Sequence, residues 1–532
     1  MYRYLYIAAV LLASLNGYGQ NKEAIKFGKH VNKDAAYKHL SVLASDAYEG
    51  RETGTKGGWM AAEYIRNHFK AIGLKGPVNG DYFQPVDMAS FSLNQQLLIA
   101  GQAATPITDF YNMPQAVSVK GYNLSSQDIL FAGYGLNTEG YNDYKDQTIA
   151  GKIVLILKSG SPDGQRTDNN ARAASAALNT KLRYLAENGA AAVLVIDPAV
   201  DVMPDNLKAY LSEDQMVMKS EENVARLNQP QSMPVVTITT ATANRILKSA
   251  GTDLESVKAR IRTSGKPATQ VIKTQINISA SKSEKKVRAE NVLGYLEGSD
   301  PKLKDEVLVI TAHYDHIGIT PGVKGDDKIN NGADDDGSGT TGVLLIADAF
   351  MKAKKAGKGP KRSILFMTVT GEEKGLLGSE WYSDHPIFPL ANTITNLNID
   401  MIGRGDADHA GDNNFVYIIG SDMLSTELDR IGKKANKDYV NINLDERYNN
   451  RTDPNRFYYR SDHYNFAKHG IPVIFYFNGV HDDYHQPGDE VSKIDFPMLA
   501  KRAQLVYFTA WELANGAKRP AVDKNEDGTP KQ

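Results

Sequence analysis

The stretch "GADDDGSG" at residues 332–339 sets three consecutive aspartates between glycines in a chain that is otherwise nearly neutral. Adjacent carboxylates repel, so a fold that keeps them together either leaves them in water or places strong positive charge among them. Their surroundings favour the charge. Eight of the eleven histidines fall between His313 and His485. His313 and Asp315 close the apolar run "VLVITA", Glu372 and Glu373 follow "ILFMTVTG", Asp400 follows "TNLNI", and His485 lies beyond "IPVIFYF". The chain has no cysteine, which excludes disulfides, thiolate zinc sites and cysteine nucleophiles. Any metal must therefore sit on His, Asp and Glu, a donor set that suits zinc-type divalent ions. Five candidate ligands exceed what one catalytic zinc with an open position uses; they suit two metals sharing a carboxylate. Of the neighbours Glu372 and Glu373, one would then bind metal and the other act on a water.

These residues need a scaffold that brings distant loops together. From Asn291 onward apolar strands alternate with helices, and several strands are apolar on both faces. That pattern predicts an α/β fold: a mostly parallel central sheet with helices on both faces. Ligand sites in such sheets form outside the carboxyl ends of the strands, and four strands deliver His or carboxylate residues to that edge. Upstream, Asp34 to Leu74 has helical spacing, broken by "DAYEGRETGTKGG". No Gly-Lys-Ser/Thr step follows that loop, so it reads as a connector. Between Ser90 and Pro267 short β-type runs and one clear helix, "AASAALNTKLRYLAENGA", predict a separate β-rich domain without ligand candidates. The expected organisation is a signal peptide at 1–19, a helical part of the catalytic domain at 20–89, an insert at 90–267, the catalytic domain at 268–516 and a solvated tail at 517–532.

Bulk composition narrows the function. With 61 basic against 63 acidic residues there is no basic excess for nucleic-acid binding. An apolar stretch from Leu5 to Leu15 follows Arg3, and Gly17 and Gly19 precede Gln20 in the layout of a cleavable secretory signal. No later segment approaches the ~18 apolar residues of a membrane span, so an exported chain without stable membrane insertion is expected. The tail "VDKNEDGTPKQ" opens like a calcium loop but lacks the glutamate at its twelfth position.

"AHYDHIG", "NGADDDGSG", "TGEEKGLLGS", "NIDMIGR", "SDHYNF", "GIP" and "YHQPGD", in that order between Asn291 and Asn515, resemble the co-catalytic zinc aminopeptidase family that includes the glutamate carboxypeptidase II-like enzymes. The middle block resembles the protease-associated domain inserted in some members, and the amino-terminal part resembles exported bacterial members. The resemblance implies the zinc-peptidase α/β fold, two zinc ions per chain and peptide substrates cut at the amino end; it assigns no oligomeric state. It implies His313, Asp335, Glu373, Asp400 and His485 as metal ligands, with Asp335 bridging. Asp315 would orient His313 through its carboxylate, Glu372 would be the general base, and Tyr484 would stabilise the tetrahedral intermediate.

Other readings compete less well. A carboxypeptidase or dipeptidase of the same family is the nearest alternative. A one-metal glutaminyl-cyclase-like transferase and an inactive binding module fit the complete ligand set and the paired glutamates poorly. "GSGTTG" satisfies a dinucleotide-loop pattern, but three preceding aspartates would repel a pyrophosphate. Ser338 lacks a Gly-x-Ser-x-Gly context. His316, His463 and His481 match none of the family's ligand positions, and His463 is expected to be structural.

Overall fold

Runs such as "VLVITAH" and "SILFMTV" are long enough for one strand and apolar at every position, so they are stable only where both faces are covered. A computed structural model describes residues 20–163, 171–320 and 326–531, and there these runs form the middle of an eight-stranded sheet. The expected signal peptide, 1–19, lies outside the described residues. The strand order is Phe83–Pro85, Glu290–Leu296, Ser363–Val369, Val307–His313, Thr393–Ile399, Val473–Phe477, Phe415–Ile419 and Asn443–Asp445. The four strands from Ser363–Val369 to Val473–Phe477 are mutually parallel. Antiparallel pairings lie outside them. The expected α/β architecture is therefore observed.

Alternate residues of the central strands enter different cores. Leu308, Ile310 and Ala312 pack with the helices Lys33–Leu43, Lys56–Ile72, Gly339–Lys355 and Phe496–Asn515. Val307 and Val309 pack on the opposite face with Tyr382 and Phe466. Local chemistry starts these helices where the sheet needs them. The Asn32 side chain accepts from Ala35 N–H, and Asp495 accepts from Met498 N–H with Pro497 in the first turn. Arg502 is fully buried and donates to the carbonyls of Ile402, Asn413 and Phe415, tying the last helix to the loops at the site edge.

The second unit, Asp87–Val287, corrects two expectations. It is β-rich, with a nine-stranded sheet, but holds more than the one helix expected: Ala171–Glu187, Asp205–Ser212, Glu221–Leu227, Thr240–Leu247 and Leu254–Ser264. Its boundary is also later than Pro267. The strand Gln270–Lys286 lies between Met88–Ile99 and Tyr122–Phe131, antiparallel to both, so residues 268–287 belong with this unit. Polar alternation in "TQINISASKSEKK" concealed this, because the strand is half-exposed along its length. The tail is corrected too. Asp523 accepts from the Thr426 backbone at 3.0 Å, and Lys524 donates to Asp422 at 3.0 Å. It is docked, not free in water.

The corrected boundary has a measurable consequence. Excising 90–267 strands Gln270–Lys286 without either neighbour and exposes two edges, which drives aggregation. Excising Asp87–Val287 leaves Val86 N–H bonded to Ala289 O at 2.9 Å, so a short linker closes the cut. The second deletion should give soluble protein that retains metal and the first should not; size-exclusion chromatography with elemental analysis distinguishes them.

Candidate metal centre

Each expected ligand sits at or just beyond the carboxyl end of a parallel strand, or in the loop that follows one. His313 is the last residue of Val307–His313, Asp400 follows Thr393–Ile399, and Glu372 and Glu373 follow Ser363–Val369. His485 follows Val473–Phe477 after a loop, in a left-handed backbone conformation with φ +55°. Asp335 reaches the same place from the loop before Gly339–Lys355. All five converge.

The three aspartates, each no more than 3% exposed, do different things. Asp334 accepts from Gly403 N–H at 2.6 Å, Ser338 Oγ at 2.9 Å and Asn478 Nδ2 at 3.0 Å, and faces His481 Nε2 at 3.3 Å. Asp336 accepts from the backbone of His313, Gly339 and Met401. Only Asp335 turns its carboxylate into the site. Its Oδ1 stands 3.3 Å from His313 Nε2 and its Oδ2 stands 3.1 Å from His485 Nε2. On the first side Asp400 Oδ1 lies 3.6 Å from His313 Nε2. On the second, Glu373 Oε2 lies 3.1 Å from His485 Nε2.

Orientation is imposed from behind. His313 Nδ1 lies 3.0 Å from the Asp315 carbonyl, which can only accept, so Nδ1 carries a proton and Nε2 is the nitrogen presented to the site. This corrects the expected role of the Asp315 carboxylate, which stands 3.8 Å from that nitrogen. It accepts instead from Thr53 Oγ1 at 2.9 Å and from Glu372 N–H at 3.3 Å. Ser461 Oγ donates to Asp400 Oδ2 at 2.6 Å, leaving Oδ1 for the site.

These donors fit a pair of divalent ions. Asp335 Oδ2 and His485 Nε2 are buried and close, yet misaligned for a hydrogen bond, as two lone pairs aimed at a common third point would be. The electrostatics agree. Burial lowers the basicity of His313, but Glu372, Asp400 and Asp335 outweigh it and hold its pKa well above the usual range. Burial likewise opposes protonation of His485, and Asp335 and Glu373 push its pKa up to about 10. The cluster demands positive charge, which protons supply when metal does not.

Four contributors lie outside the expected site residues. Arg51, in the supposed connector, is 1% exposed and donates to the carbonyls of Leu43, Tyr314, Asn331 and Gly332. Thr53 supports Asp315. Asp489 accepts from Asp334 and Asp335 N–H at 3.0 Å. His316 Nδ1 lies 2.9 Å from Glu373 Oε1 and fixes that ligand. Their sequence signals were an Arg in a glycine-rich loop, an aspartate four residues after His485 and a second histidine three residues after His313. His463, by contrast, is buried against Phe475 with its pKa pushed down to about 3, a structural residue as expected.

Much of the chain is similar to known proteins. Residues 291–510 match peptidase family M28. This segment is similar to that family. A probable zinc metalloprotease of Pyrenophora teres f. teres is 28% identical over 290 residues, covering 48% of this chain and 57% of its own. Aminopeptidase YwaD of Bacillus subtilis is 26% identical over 253 residues, covering 45% and 48%. This chain thus spans about half the length of these curated relatives. A solved zinc aminopeptidase from Bacillus subtilis shares the fold, with a TM-score of 0.52 and 20% identity, over 93% of this chain and 98% of that one.

Two outcomes test the M28 site as described. Arg51→Met leaves several buried carbonyls without donors and should cost about 3 kcal/mol or more in denaturant unfolding, with reduced metal content. Metal binding needs neutral imidazoles, and metal-free His485 keeps its proton up to about pH 10. Apparent metal affinity should therefore rise with pH through the neutral range, and uptake should release protons. Calorimetry in buffers of different ionisation enthalpy reads this release; identical heats would contradict it.

Proposed function

We propose that the chain is an exported aminopeptidase that uses two zinc ions, and one observation carries the two-metal part. Asp335 presents one oxygen to His313 and the other to His485, so a single carboxylate serves both halves of the site. When bound, such a pair supplies an acidified water and polarises the scissile carbonyl.

The chain's own residues do the rest. Burial raises the Glu372 pKa well above the usual carboxylate range, with Glu373, Asp400 and Asp462 adding to it against His313. That suits a group that takes a proton from the attacking water and returns it to the leaving amine. Asp315 holds the Glu372 backbone, so the general base and the His313 tautomer share one support. Tyr484, stacked on His485 at 3.9 Å, lines a cleft beside His313, Asp335, Glu372 and Asp400. Its phenol is kept protonated by burial and by the surrounding carboxylates, as a donor to a developing oxyanion must be. The carboxylates draw a substrate ammonium group. Apolar walls from Phe457, Phe475 and Phe477 suit an apolar side chain.

Arg460 also lines this cleft, over the Phe457 ring, and would receive a terminal carboxylate if the chain cut from the other end. Arg404 is engaged by Asp483 at 3.0 Å. We read the Asp87–Val287 unit as a protease-associated domain shaping substrate access, and the Leu5–Leu15 stretch as an export signal; the mass of the mature chain checks cleavage before Gln20.

A peptide panel decides the end that is read. Amino-terminal acetylation should abolish cleavage while carboxyl-terminal amidation matters little; the reverse pattern moves the assignment to a carboxypeptidase. Within either reading, Glu372→Gln should retain metal and lose ~10²–10⁴-fold in kcat. Activity within about tenfold of wild type would remove Glu372 from its role. Glu373→Gln should lose metal as well.

A further inference from the structure

Three helices of the catalytic unit converge a second time, away from the ligands described above. His39 lies on Lys33–Leu43, His68 on Lys56–Ile72 and Asp348 on Gly339–Lys355. One donor atom from each lies within 4.8 Å of the others. His68 Nε2 and Asp348 Oδ1 are 3.1 Å apart, and the two imidazole rings meet edge to face at 4.6 Å. His39 Nδ1 is 2.9 Å from the Tyr64 hydroxyl, one helical turn before His68.

A structural tie between helices would need only the His68–Asp348 pair. His39 adds a second imidazole that is 6% exposed and has no carboxylate of its own. In the tautomer that donates Nδ1–H to the Tyr64 oxygen, Nε2 keeps a lone pair for an ion. Burial and the nearby His68 keep that ring uncharged at neutral pH. Two nitrogens and one carboxylate are a recurrent zinc donor set, with solvent completing a tetrahedron. Donors ~2.0–2.2 Å from such an ion stand ~3.3–3.6 Å apart, so closing around it needs shifts of about an ångström. His68 and Asp348 side chains are 16% and 20% exposed, which gives an ion a way in. Lys352, 3.2 Å from His30 Nδ1 and one turn beyond Asp348, is the nearby cation that tempers affinity.

We propose that His39, His68 and Asp348 form a third divalent-cation site of zinc type, structural in role, which staples together the helices on either side of the catalytic loops. It would act on the scaffold: Lys56–Ile72 follows the loop of Arg51 and Thr53, and Gly339–Lys355 follows the aspartate loop.

The test compares zinc content of the full chain after equilibration with zinc and removal of the excess. The His39→Gln/His68→Gln double variant should hold one ion fewer per chain than wild type, with kcat on a peptide substrate within about twofold. Asp348→Asn, which keeps side-chain shape and a hydrogen-bonding group for His68, should lose the same ion and provides the comparison if the double variant folds poorly. Zinc added beyond saturation of the catalytic centre should raise Tm of wild type and leave Tm of the variants unmoved. The comparison is a difference, so it holds whether the catalytic centre takes one metal or two. Equal zinc content in wild type and Asp348→Asn, with equal Tm responses, overturns the proposal.

Discussion

Burying three consecutive carboxylates is the constraint around which the catalytic unit is arranged. An ionised carboxylate removed from water costs several kcal/mol unless donors or opposite charge replace its hydration. Here the replacement is divided. Backbone N–H groups from the loop after Thr393–Ile399 and the Asn478 side chain from the loop after Val473–Phe477 satisfy Asp334 and Asp336, and histidines surround Asp335. The strand ends must therefore meet at one edge for the loop to be buried at all. The demand for positive charge is left at the one carboxylate that has two open oxygens.

A further layer of order comes from groups that touch no ligand atom directly. Arg51 donates to main-chain carbonyls, and three of these, on Tyr314, Asn331 and Gly332, belong to the segments just before Asp315 and Asp335. A planar guanidinium with five donors can hold several carbonyls at fixed angles, which a lysine cannot do. Asp489 performs the opposite task, accepting the N–H groups of Asp334 and Asp335. Asp315 joins the amino-terminal loop, through Thr53, to the backbone of Glu372.

How much of this was readable follows from what sequence encodes. Apolar runs report which strands are covered on both faces, and the residue after each run reports what reaches the edge, so His313, Glu373 and Asp400 were visible. Arg51 and Thr53 were not, because the Tyr314 carbonyl and the Asp315 carboxylate they serve lie more than 260 positions away. Periodicity carries no information about such pairings. Asp315 was seen, but the sequence could not separate its carboxylate from its own carbonyl as the partner of His313. The strand Gln270–Lys286 was passed over because half-exposed residues make a strand resemble a linker when its neighbours lie far upstream.

The pairing of Pro85 with Glu290 places the departure and return of the chain directly opposite each other at the end of one antiparallel ladder. Such partners stand about 5 Å apart, and the ladder fixes that gap whatever lies between. The catalytic unit thus offers a preformed socket: a guest whose own termini are close can be accommodated with little added loop-closure entropy. Replacement or enlargement of the intervening module can then proceed while the strands that carry the ligands keep their register. Variation among chains built on this plan can concentrate in the guest, leaving the chemistry's scaffold unchanged.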